Sequence, residues 1–121
     1  LTQAERDLQA AEDSAAAGHH EWAAFQSQQC AEKAVKALVQ SLHGMARGHS
    51  VTAILLQLPS TVTVPERVLD AAREVDKVYV TARYPNGLAE GTPGDYFTAR
   101  TSKDLVDHGR AVLEFCRGFV S

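Results

Sequence analysis

The sequence predicts an all-α protein of four long helices and one short one, and three observations carry that prediction. Small or apolar residues recur at three- and four-residue intervals in four separate stretches, which places them on one helical face in each. The link between the first two stretches is so short that their helices must pack as antiparallel neighbours. Where β-branched residues cluster, at 60–64 (STVTV), no second strand-like run exists to pair with them, so the segment reads as an extended linker.

The first helix starts at Thr2, which with Glu5 has the spacing of a capping box. Leu1, Ala4, Leu8, Ala11 and Ala15 form its inward stripe and Gly18 ends it. The second stretch, 20–44, is the longest and most regular, with neither proline nor glycine before Gly44, which supplies the C′ stop. Its inward face is Ala23/Ala24, Ser27, Cys30/Ala31, Ala34/Val35, Ala37/Leu38 and Ser41/Leu42. Side chains this small let a neighbour approach closely, as expected of a helix in the middle of a bundle. Trp22, Gln26, Gln29, Lys33, Lys36 and Gln40 form the opposite stripe, polar after its first residue.

Ser50 can cap a short apolar helix that Pro59 terminates. Beyond the linker, Pro65 suits the first position of a fourth helix with the stripe Val68, Ala72, Val75, Tyr79 and Ala82, and with Asp76 and Arg83 on an adjoining face. Residues 84–97 carry three glycines and two prolines without helical period and read as a long loop, the kind that tends to be functional or mobile. Thr101 and Asp104 have capping-box spacing at the head of the last helix, whose stripe is Leu105, Gly109, Val112, Cys116 and Phe119.

At 121 residues and 13.1 kDa the chain is expected to form one domain, 1–121. The formal net charge of -3 argues against a surface that is basic throughout and built to wrap nucleic acid, but leaves room for a local basic site. Cys30 and Cys116 each fall in an apolar stripe and are expected to act as small buried hydrophobes in a reducing compartment. No apolar run is long enough to span a membrane and no secretory signal pattern is present, so a cytoplasmic location is expected. The absence of an initiator Met fits a piece of a longer protein. The histidines have no metal-site spacing, and neither a phosphate-binding glycine loop after a strand nor a GxSxG elbow occurs, so neither metal nor cofactor is expected.

Three pieces of the chain recur in a known order: Gln29, Glu32 and Lys33 within QQCAEK, Gly48 and His49 of GHS, and Arg83, Tyr84 and Pro85 of RYP. In that order, over nearly the whole chain, the sequence resembles the HEPN domain family (higher eukaryotes and prokaryotes nucleotide-binding domains). The resemblance implies an up-and-down four-helix bundle with one extra short helix, commonly a homodimer. It implies a module that binds a nucleotide (ATP or GTP) or nucleic acid, or that partners a minimal nucleotidyltransferase in a toxin-antitoxin pair. Some branches of the family are metal-independent ribonucleases, whose motif is an Arg followed by four to six residues and a His. Here Arg100 and His108 have seven residues between them and no other Arg qualifies, so the RYP pattern points to the non-catalytic branch. Asn86 stands where that branch more often carries Asp.

The candidate site residues are Arg83, Tyr84, Lys33, Lys36, Gln29 and His49. The guanidinium of Arg83 can grip a phosphate with two parallel bonds, or it can bond its own helix end or Asp76. Tyr84 can stack on a base or pack the loop down. Lys33 and Lys36 with Gln29 form a phosphate or acidic-partner site, or a solvated face on which Glu32 and Lys36 pair at i,i+4. His49 is a ligand donor or a packing and capping residue. Three functions follow: a non-catalytic nucleotide or partner module, a ribonuclease toxin using Arg100 and His108, and a purely structural dimerisation domain.

Overall fold

The computed structural model describes residues 1–83 and 97–120, with side chains other than those of 79–83. Among the described residues five helices follow one another: α1 (Thr2–Ala16), α2 (His20–Ser41), α3 (Val51–Leu56), α4 (Glu66–Arg83) and α5 (Ala99–Arg117). There is no strand among the described residues, and 60–64 is the linker that the lack of a pairing partner predicts. α2 is the axis of the molecule and packs against each of the other four helices, while α1 and α4 both lean on the α2/α5 pair.

Small side chains set this arrangement. Ala23, Ala24, Ser27, Cys30, Ala31 and Ala34 of α2 are fully buried, and α5 lies close over them at Gly109. A Cβ at Gly109 would come within 2.9 Å of the Ser27 carbonyl oxygen, closer than side-chain carbons pack, so only glycine permits this crossing. The Cys30 thiol lies 3.9 Å from the Gly109 carbonyl oxygen on the same seam. Larger residues, Leu38, Val51, Val68, Val75, Val112 and Leu113, complete the core at the other positions of the stripes. Both cysteines are buried free thiols, as their place in the stripes predicts. Burial, aided by the charge of Asp7, pushes the Cys30 thiol up to about 12, and burial with Cys30 nearby does the same for Cys116.

The ends of the helices correct the sequence reading in several places. Leu1 is the N-cap of α1 without a side-chain cap bond, so Thr2 lies in the first turn and the Thr2/Glu5 capping box does not form. Thr98, not Thr101, caps α5: its hydroxyl accepts from the Thr101 N–H at 3.2 Å because the helix starts earlier than the Thr101/Asp104 spacing suggests. Pro65 precedes the first residue of α4 and its carbonyl accepts from Val68 and Leu69. Gly18 ends α1 as expected, in the left-handed conformation at φ 84°. At the end of α2 it is His43 that turns left-handed, at φ 63°, and Gly44 donates back to the Val39 carbonyl. Gly44 serves by leaving room, since a Cβ there would stand 3.0 Å from Val39 Cγ1.

The inward stripe of α2 stops at Leu38, for Ser41 and Leu42 are exposed where the chain leaves the bundle. Phe119, past the end of α5, is 43% exposed and stacks on Phe115 instead of entering the core. Phe97, assigned to the loop, is buried and belongs to the core. The rest of that loop, 84–96, and the side chains of Tyr79 and Ala82 lie outside the described residues.

Candidate functional site

α2 carries three polar residues four apart, Gln28, Glu32 and Lys36, so they stack along one face. Gln28 and Glu32 are buried, so the polar face is not a solvated one at Glu32. A buried carboxylate needs partners, and Glu32 has three. Gln28 Nε2 donates to Oε1 at 3.0 Å, Lys36 Nζ donates to Oε2 at 3.2 Å, and His49 Nδ1 lies 3.1 Å from Oε1. Burial pushes the Glu32 carboxyl up, but these three bonds and the Lys36 charge outweigh it and hold the group below its ordinary value. Gln29 joins the network by donating from Nε2 to Gln28 Oε1 at 2.7 Å.

His49 is placed by the start of α3. Ser50 is the N-cap as predicted, accepting from the Ala53 N–H at 3.1 Å. Asp76 of α4 secures the same turn from outside, accepting from Val51 N at 2.8 Å, Thr52 N at 3.0 Å and Ser50 Oγ at 3.1 Å. One carboxylate from α2 and one from α4 thus fix the segment 49–52, and the His49 ring stands half-exposed beside the half-exposed Lys36 amine. The result is a surface site in which an amine and the edge of an imidazole are set in place by a buried anion.

The six candidate residues divide accordingly. Lys36 and His49 meet at Glu32, and Gln29 is linked to it through Gln28. Lys33 does not join them, because its amine turns to Asp7 of α1 at 2.7 Å. The Arg83 backbone forms the last residue of α4, seven positions beyond Asp76 and so about 10 Å further along the same face; its side chain and all of Tyr84 lie outside the described residues. The predicted Glu32/Lys36 pair is present, as part of a larger network that the sequence reading missed. Glu32, Gln28 and Asp76 stand beyond the six candidates, and the signal for the first two in the sequence is the four-residue ladder Gln28, Glu32, Lys36 inside a stretch of small residues.

Arg100 and His108, the near-miss ribonuclease pair, lie on α5 eight residues apart, about 12 Å along the helix axis. Among the described residues no three His, Cys, Asp or Glu side chains come together to hold a metal ion. No helix among them is long and apolar enough to cross a membrane.

Comparison with known proteins agrees with this architecture. The model of the HEPN domain matches residues 1–119. A protein from Thermus thermophilus of known crystal structure is 34% identical and superimposes with a TM-score of 0.94, covering 99% of this chain and 94% of that one. An archaeal HEPN homologue is 38% identical with a TM-score of 0.82, over 97% of this chain and 91% of its own. A HEPN domain protein from Thermotoga maritima is 33% identical with a TM-score of 0.76, over 95% and 91%. The curated proteins gave no match. With a family match over nearly its whole length and three structural relatives above 30% identity, the chain belongs to the HEPN domain family.

Proposed function

We propose that this HEPN domain is a non-catalytic binding module of the RYP-bearing type, which takes the phosphates of a nucleotide or nucleic acid at the Gln29, Lys36 and His49 cluster, with Arg83 and Tyr84 as further contacts. The observation that carries the reading is the buried Glu32 carboxylate, which holds the Lys36 amine and the His49 ring side by side at the surface. Preorganised donors need not be ordered on binding, so little is lost when an anion arrives. The separation of Arg100 and His108 along α5 supports the absence of turnover, since acid-base work on one phosphate needs both groups within hydrogen-bond reach of it. The domain acts in the cytoplasm, where its two free thiols stay reduced. As a homodimer it would pair with a minimal nucleotidyltransferase in a toxin-antitoxin system. The exposed apolar side chains Leu42, Met45 and Leu56, around the end of α2 and on α3, support a protein contact at that end of the bundle.

The test is calorimetric titration with ATP and GTP at two salt concentrations, for the wild type, Lys36→Ala and Arg83→Ala. Binding that weakens with salt and falls about tenfold in Lys36→Ala establishes the site. No heat from a folded protein with either nucleotide removes the phosphate reading and leaves the partner contact to pursue.

A further inference from the structure

Trp22 is the only tryptophan of the chain and is 62% exposed, although it begins a helix whose other face is buried almost without gap. Phe25 beside it is 41% exposed, and the two rings meet edge to face with centroids 6.3 Å apart. With Val78 of α4 and Phe97 before α5 they line a cleft of about 270 Å³. Glu21, Trp22 and Phe97 also border an adjacent space of about 430 Å³, which is lined further by Gly18, His19 and His20. The His20 ring is held there by α5, with Nδ1 2.8 Å from Ser102 Oγ. Side by side, the two spaces offer an aromatic half and a polar half with imidazoles on its rim, together with one carboxylate, Glu21.

A purely apolar partner side chain would use only the first half. A planar base attached to a sugar and phosphate would use both: the ring stacks on Trp22 and Phe25, and the polar part lies toward His19 and His20. The cleft also has a direction. Trp22, Gln29 and Lys36 recur every seven residues and so lie on one stripe of α2, with Trp22 and Lys36 about 21 Å apart. That exceeds the reach of a mononucleotide and matches about six stacked nucleotides at 3.4 Å each.

Resting on the phosphate-binding reading above, we propose that the Trp22, Phe25 and Phe97 cleft is a base-stacking site for single-stranded nucleic acid whose backbone runs along the α2 stripe to Lys36 and His49. Trp22, as the sole tryptophan, reports its own occupancy by fluorescence. The experiment titrates a six-residue oligoadenylate and, separately, ATP into the wild type, Trp22→Ala and Lys36→Ala, following both heat and tryptophan emission. The expected result is tighter binding of the hexamer than of ATP, quenching of Trp22 by the hexamer, and hexamer affinity lowered about 5- to 100-fold in Trp22→Ala. Trp22→Phe, which keeps a stacking face, should stay within about threefold of wild type. If the hexamer binds with unchanged emission and equal affinity in Trp22→Ala, the cleft is not its site, while the phosphate reading survives. If neither ligand gives heat, both fall together. If emission follows protein concentration instead of ligand, and Trp22→Ala dissociates a dimer, the cleft is a self-association face and the proposal is overturned.

Discussion

α2 is held along its two sides by different means. Against α5 the contact is made of nearly nothing: Gly109 rests on the Ser27 backbone, and alanines, a serine and a cysteine fill the seam. Toward α3 and α4 the core is apolar as well, with Val35 and Leu38 in one cluster with Val51, Ile54, Val68 and Val75, but a charged network is added at its edge: Glu32 gathers Gln28, Lys36 and His49, while Asp76 of α4 binds the first turn of α3. Dispersion between close-packed surfaces is non-directional and tolerates no added atom. Hydrogen bonds to a buried carboxylate are directional and tolerate no lost partner. The first kind of contact fixes where α5 lies; the second fixes where individual side chains point, and it is there that the candidate phosphate site is found.

The comparison breaks most severely at the seam. Gly109→Val places branched carbons where even one Cβ would be 2.9 Å from the Ser27 carbonyl, so α5 must move off α2. A loss of about 3 kcal/mol is expected, the upper part of the range for overpacking. It is measured by urea unfolding, and a loss below about 1 kcal/mol would mean that the two helices can slide apart freely.

Asp76→Ala tests the polar side next. It leaves the Val51 and Thr52 N–H groups without their acceptor and removes a bond from Ser50, while Ser50 still caps through Ala53. A cost of about 2 kcal/mol is expected, near the top of what an N-terminal cap contributes. Hydrogen exchange should show the loss as faster opening of α3 with α2 and α5 still protected. Uniformly faster exchange would instead mean that α3 and the bundle open as one unit.

The same contrast explains what could be read in advance. The seam follows from local pattern: three-four spacing marks the stripes of α2 and α5, and Gly109 inside one of them marks a close crossing. The polar cluster joins residues 17 and 25 positions apart, Glu32 to His49 and Val51 to Asp76, and such pairings depend on where α3 settles. Gln28, Glu32 and Lys36 have the same spacing as a ladder on a solvated helix face, so spacing alone gave Lys36 its partner but not the burial of Glu32. Lys33 and Lys36 look equivalent for the same reason, and differ because α1 presents Asp7 to one, while the other pairs with Glu32, which His49 also contacts from the turn before α3. Cap positions went astray at Thr2 and Thr101 because hydroxyls with suitable spacing are commoner than helix starts.

The smallest effect sharpens the comparison through pH. Hydrogen bonds to the ionised form hold the Glu32 carboxyl below its ordinary value in the folded state, so the fold is favoured by this group when it is charged. Its contribution is complete above the ordinary glutamate range of about pH 4.3 and fades as pH falls through the lower, folded-state value. Glu32→Gln keeps the size of the side chain but removes the charge that Lys36 and His49 face, and should cost about 1 kcal/mol at pH 7. The difference between wild type and variant should shrink as the pH is lowered below about 4, because the wild-type carboxyl then becomes neutral as well. Gly109→Val serves as the control, since a steric fault has no titrating group and its cost should stay level over the same range. A Glu32→Gln penalty that also stays level would show that the carboxylate acts here by shape, and that the two sides of α2 differ less than their chemistry implies.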